Sequence, residues 1–345
     1  MEKRYFNIDI LRFLAAFGVM LMHYLVRGFP NDTYSTISFG AIATFTKYNY
    51  LAVNLFFMIS GFVILMSAQH STAKKFIKSR FLRLYPAFWF CCTVSFLLTI
   101  VFINHIFQLT LPRYIANMTM FNGFFNIGYV DNVYWTLLVE MKFYIFIFLL
   151  LITKQIRNIE NFAFIWLLLA AIQIYLSNSL LETWLNTRYA SFFVAGCLFY
   201  ISASSGYSMK RVAGILATIP VGFYYEYHHL AQRHAQYSME YSGLTLFCIL
   251  IGIYCLIYFA TVKIECSDVV KLISKKLGQT SYPLYLIHLN IGIVVLNVFG
   301  TSVNKWVLFG LLIISMPIFA YLISEYIEAP LRRFLNNQFF ARLEK

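Results

Sequence analysis

Apolar runs long enough to carry a helix across bilayer hydrocarbon recur along the whole of this chain, and mostly short polar connections separate them. A window of about 19 residues places ten spans near residues 8 to 27, 49 to 67, 84 to 104, 133 to 153, 161 to 177, 188 to 203, 211 to 225, 241 to 260, 280 to 299 and 305 to 326. Inside lipid every backbone polar group must be bonded within the protein, and runs of this length meet that demand as helices. The expected fold is therefore all-α: a polytopic transmembrane helical bundle of about ten spans, with residues 1–345 forming one integral-membrane domain. Composition agrees, since only 12% of residues are charged, about half the share of a soluble domain. The first run is of span length and lacks a small-residue cleavage site, so it reads as the first helix and not as a signal.

Lys and Arg are divided unevenly among the connections. Nineteen fall on the side of the N-terminus and six (Arg27, Lys47, Arg113, Arg188, Arg233 and Lys305) on the other, with Arg12 and Lys142 inside spans. The positive-inside rule then puts both termini in the cytoplasm. This topology accounts for most of the formal charge of +13, and no nucleic-acid partner is expected, because the basic residues form no single soluble patch. Five of the six cysteines fall in spans and Cys266 in a cytoplasmic connection, so no disulfide framework is expected. No phosphate-binding glycine loop, solenoid repeat or cysteine metal pair is found.

Few polar residues lie at membrane depth. Helix one, from Asn7 to Gly28, carries Arg12 and His23 within its apolar run. Ionisable groups there are costly and point to function. Their spacing is about three helical turns, which puts both on one face with about 16 Å of axial rise between them. In the fourth span Glu140 stands about two turns below the outer surface, a depth at which it can meet His23 if the first and fourth spans pack together. A carboxylate beside an imidazole holds its tautomer and raises its basicity, as a general base for a hydroxyl requires. The plainer alternative is an ion pair of Glu140 with Lys142 and a core histidine bonded to a carbonyl. At the entry to the third span, Arg80 and Arg83 share a helix face where two guanidiniums can grip phosphate, with Lys74, Lys75 and Lys78 adding field. The competing reading is ordinary positive-inside charge facing anionic membrane lipid.

Together these features form a pattern. Arg12 and His23 make an R-x10-H spacing, Arg80 and Arg83 an R-x-x-R, and NLFFMISGF at 54 to 62 is similar to an FF-x-x-SG signature. GFF at 123 to 125, Gly128-Tyr129, WTLLVE at 135 to 140, SYPLYLIH at 281 to 288 and EAPLRR at 328 to 333 follow in order. The chain resembles, over nearly its whole length, the acyltransferase-3 family of bacterial membrane enzymes that O-acetylate surface polysaccharides from acetyl-coenzyme A. It departs from the family pattern in Asn54, at a position often acidic, and in Thr136, where serine is commoner. Larger relatives add an SGNH-type esterase domain after the last helix. If transfer needs one here, it must come from a separate protein.

The resemblance implies an O-acyltransferase of the bacterial cytoplasmic membrane. Its substrates would be acetyl-CoA and a polysaccharide acceptor or its lipid-linked precursor, with no tightly bound cofactor. Arg12, Arg80 and Arg83 are then expected to hold the donor's phosphates, and His23, oriented by Glu140, to act as base or acyl carrier. Tyr129, Trp135 and Ser281 are candidates for positioning the acceptor or the oxyanion. Segment 114 to 132 is too polar to span and is expected to dip back over the site. The tyrosines of 224 to 241 are read first as an interfacial belt, and His228, His229 and His234 lack the paired spacing of a zinc site, so no metal is expected. His70, His105 and His288 are read as interfacial or structural, although His288 ends a motif and could line the cavity. A transporter or flippase is the alternative from another class, but no duplicated pair of broken helices is visible.

Overall fold

Each of the ten apolar runs is helical in the computed structural model, which describes residues 5–26, 37–262 and 266–340. The long helices are α1 (Phe6–Val26), α2 (Ala52–Ala68), α3 (Ala73–Phe102), α4 (Trp135–Ile152), α5 (Ile159–Leu176), α6 (Thr187–Ser205), α7 (Met209–His228), α8 (Gly243–Thr261), α9 (Asp268–Phe299) and α10 (Lys305–Ile323). No strand occurs among the described residues. Lys3, Arg4, Arg27, Lys263, Arg342 and Lys345 of the charge division lie outside them. Among the described residues, eight helical segments are long and apolar enough to cross a membrane; α6 and α7 are long enough but less apolar. Other helices enclose α6, which buries an almost unbroken run from Ala190 to Ser202 and so presents little surface to lipid.

Two helices outrun the apolar stretches from which they were read. α3 begins at Ala73 and not near 84, because Thr72 caps it by accepting from the Lys75 N–H. α9 begins at Asp268 and not near 280, capped by Ser267. In both, the added turns are polar or amphipathic, so a hydropathy window does not register them. One consequence matters for function: Arg80 and Arg83 stand on a continuous helix that runs on into the bundle.

Four helix pairs carry the interior: α1 lies along α9, α2 along α6, and both α10 and α3 against α9. At the α2–α6 crossing Gly61 faces the Phe193 carbonyl and Gly196 faces the Met58 carbonyl, so a Cβ at either position would overlap backbone. Helices that lack a hydrophobic drive between them gain from such close approach. Aromatic side chains fill the space beside it, with Phe57 stacked on Phe193 and Phe143 on Trp166.

This crossing yields a stability test. Gly196→Ala should cost about 1–3 kcal/mol, the range for overpacking a well-filled interior, because the atoms met are backbone and cannot rotate away. A melting temperature in detergent equal to that of the parent protein would show that the crossing is looser than described.

Candidate active site

Two cavities lie one beyond the other along α1. The first, of about 420 Å³, is lined by Arg12, by Ser60 of α2, Arg80 and Arg83 of α3, Glu140 and Tyr144 of α4, Ser281 and Tyr282 of α9, and Arg332. The second, of about 320 Å³, is lined by His23, Asn54, Trp135, Arg188, Tyr189, Glu226 and Arg233, among others. Val53 and Tyr285 line both. The eleven-residue spacing on α1 thus delivers a guanidinium to one cavity and an imidazole to the other. Along α4 the order is reversed, Trp135 facing the histidine cavity and Glu140 the arginine cavity, so α1 and α4 run in opposite directions.

In the arginine cavity the guanidiniums are not equivalent. Arg83 Nη1 donates to Glu328 Oε1 at 2.8 Å, and the Glu328 side chain is 4% exposed. Glu328 sits in a π-helical turn, Ser324–Glu328, directly after α10; such turns often serve functional positions. The EAPLRR stretch therefore supplies the counter-ion of Arg83 and, four residues on, Arg332 of the cavity wall. Arg12 stands only loosely beside Asp9, at 3.9 Å. Arg80 bonds to Ser79 at 3.1 Å, and its Nε is shut off from solvent without a hydrogen-bond partner. Arg80 also stands over the rings of Phe76 and Tyr144, and neither Arg80 nor Arg332 of this cavity is paired with a carboxylate among the described residues.

The expected pairing of Glu140 with His23 is corrected. Glu140 Oε1 accepts from Ser60 at 2.8 Å and from Tyr144 at 2.9 Å, inside the arginine cavity. The ring beside His23 is His288, fully buried, with centroids 5.2 Å apart. His288 Nδ1 lies 3.1 Å from the Leu284 carbonyl, which can only accept, so this contact calls for the proton on Nδ1. The alternative of a Glu140–Lys142 ion pair fails as well, since Lys142 donates to the Thr183 carbonyl.

Of the three positioning candidates, Trp135 lines the histidine cavity with its ring against Tyr189. Ser281 lines the arginine cavity, where its hydroxyl donates to the Gly278 carbonyl. Tyr129 belongs to neither: it packs over Gly123, and its carbonyl accepts from Arg113. Segment 114 to 132 folds as the end of a short helix, Leu111–Asn117, and a turn, Asn122–Phe125. Asn117 and Asn122 bond its loop backbone from within. It ends at buried Asp131, which accepts from the Asn290 N–H of α9. His229 and His234 are bonded to the carbonyls of Tyr225 and Met239. Arg188 and Glu226 stand near helix ends and Arg233 in a short helix after α7, where charge is unexceptional, so the sequence does not mark them as site residues.

A guanidinium-lined cavity abutting a histidine-lined one inside a helical membrane bundle has the parts of a group-transfer enzyme: a grip for an anionic carrier beside a base. Residues 5–325 match the acyltransferase-3 family, described as an acyltransferase domain. The chain belongs to that family and is a multi-pass membrane acyltransferase. No curated protein and no solved structure matches it.

The Arg83–Glu328 pair gives a second test. Removing one partner strands a charge, so Glu328→Ala should lower stability by up to about 3 kcal/mol, visibly more than Arg80→Ala in the same thermal melt. Equal effects would mean that the pair holds nothing together.

Proposed function

We propose that this acyltransferase takes the acetyl group of cytoplasmic acetyl-CoA and transfers it to a hydroxyl of a cell-surface polysaccharide or its lipid-linked precursor, in a bacterial cytoplasmic membrane. The observation that carries the reading is the junction of the two cavities at Val53 and Tyr285. A donor with phosphates at one end and a thioester at the other needs such an arrangement: anion binding in one chamber and proton transfer in the next.

In this reading Arg80, Arg12 and Arg332 take the phosphates, and Arg83, held by Glu328, adds to the field. Glu140 balances the guanidiniums and orients Ser60 and Tyr144. His23 accepts the proton of the acceptor hydroxyl as its oxygen bonds to the thioester carbonyl carbon. The carbon–sulfur bond then breaks, and His23 returns the proton to the departing thiolate. His288 sets the orientation of the His23 ring. The charge division of the connections supports a cytoplasmic arginine cavity and an outward-facing histidine cavity.

Three outcomes test this reading. His23→Ala should abolish transfer while the purified protein still folds and still binds coenzyme A, since no phosphate contact is lost; full activity in that variant would remove His23 from the mechanism. Arg80→Ala should weaken the donor by roughly 1.5 to 3 kcal/mol, the value of a charge-assisted hydrogen bond, raising KM more than it lowers kcat. An unchanged KM would assign Arg80 to lipid instead. Mass spectrometry of surface glycans with and without the gene should show a base-labile acetyl increment, and its absence from every glycan would end the proposal.

A further inference from the structure

The histidine cavity holds more positive charge and more hydrogen-bond donors than abstraction of a proton from a neutral sugar requires. Arg188, at the start of α6, and Arg233, in the short helix Leu230–Tyr237, both line it. One carboxylate opposes them: Glu226, 2% exposed, whose Oε2 stands 3.8 Å from Arg233 Nη2. Arg188 has no ion-pair partner among the described residues, so the wall carries an excess of one positive charge.

The guanidiniums are also held in a form suited to a ligand. The Arg233 carbon lies 3.3 Å from the centroid of the Tyr50 ring, and that of Arg188 lies 5.1 Å from the Tyr189 ring. A guanidinium this close to an aromatic face, as Arg233 is to Tyr50, keeps its N–H edge for carboxylate or phosphate oxygens. Asn54 adds a third donor: the residue is 2% exposed, lines the cavity, and its Nδ2 has no hydrogen-bond partner. Trp135 and Tyr189, with centroids 5.5 Å apart, supply apolar ring surface, and Gln232 and Asn132 supply amides. Aromatic faces with amides suit a saccharide; two guanidiniums beyond them suit an anionic substituent on it.

We infer that the acceptor is an acidic sugar, one whose carboxylate or phosphate group is held by Arg188 and Arg233 while its reacting hydroxyl faces His23. The inference rests on the acyl-transfer reading and names the acceptor class within it. Arg188 and Arg233 act as specificity determinants. They bind the substituent and take no part in the proton transfer.

The test uses the full chain in detergent and three soluble probes: methyl glucuronoside for carboxylate, glucose 6-phosphate for phosphate, and methyl glucoside as the neutral counterpart. Binding is read by titration, with coenzyme A titrated in parallel. At least one acidic probe should bind roughly tenfold tighter than the glucoside, the gain from one charge-assisted hydrogen bond; which one does so identifies the substituent. Arg188→Gln should erase that preference with coenzyme A affinity unchanged, and Arg188→Lys should retain part of it. Equal binding of all three probes, binding of none, or a preference that survives Arg188→Gln overturns the inference. Failure of wild-type protein to bind coenzyme A would bear on the acyl-transfer reading instead.

Discussion

Gly292 offers no side chain where the ring of Tyr24 lies, and Gly278 offers none where Asp9 lies, so α1 can settle closely along α9. The Tyr24 hydroxyl then reaches the His288 carbonyl at 2.8 Å. His23, the preceding residue, is thereby brought beside the His288 ring, and Arg12, one turn beyond Asp9, enters the wall of the other cavity. Both chambers depend on this one contact. A helix displaced by the width of a methyl group would move the imidazole and the guanidinium together, because a single rigid element carries both.

Charge placement follows a similar economy. A guanidinium within a bundle is tolerable only when something answers it, and the arginine cavity answers its four unequally. Arg83 has a near-buried carboxylate from the far end of the chain, Arg12 a distant one from its own helix, Arg80 a serine hydroxyl, and Arg332 no ion-pair partner among the described residues. A site in which every cation was fully paired would have nothing left for a phosphate. One with none paired would repel itself. Glu328 and Glu140 keep the cluster below that limit while leaving donors at its surface.

The helices were legible because length and apolarity decide what lipid accepts, and Arg12 and His23 because a charge inside such a run cannot be overlooked. The partner of Glu140 was not legible. Counting residues from a span end gives depth, but which neighbour a side chain faces depends on rotation about the helix axis, and α4 turns Glu140 toward Ser60 of α2. Arg188, Glu226 and Arg233 escaped for the opposite reason: near helix ends and in short connecting helices charge is commonplace, and only the fold shows these three converging on one cavity. EAPLRR could be seen as a motif, yet its physical sense, a counter-ion for Arg83 across 245 positions, appears only when the π-helical turn after α10 packs onto α3.

Between the chambers stands Tyr285, and its surroundings explain how so thin a partition stays in place. Its hydroxyl lies 3.0 Å from Thr136 Oγ1 and 3.3 Å from the Val133 carbonyl, which also accepts from Thr136 at 2.9 Å. The two hydroxyls have one proton each, so either both donate to the carbonyl or one of them donates to the other hydroxyl instead. Threonine at 136 keeps the hydroxyl that serine would supply, and for this reason the departure from the family pattern leaves the network whole. The tyrosine ring is anchored at its tip and bounded by Phe56 on one side and His288 on the other. Tyr285 and Val53, which line both chambers, are thus held in place where the two meet.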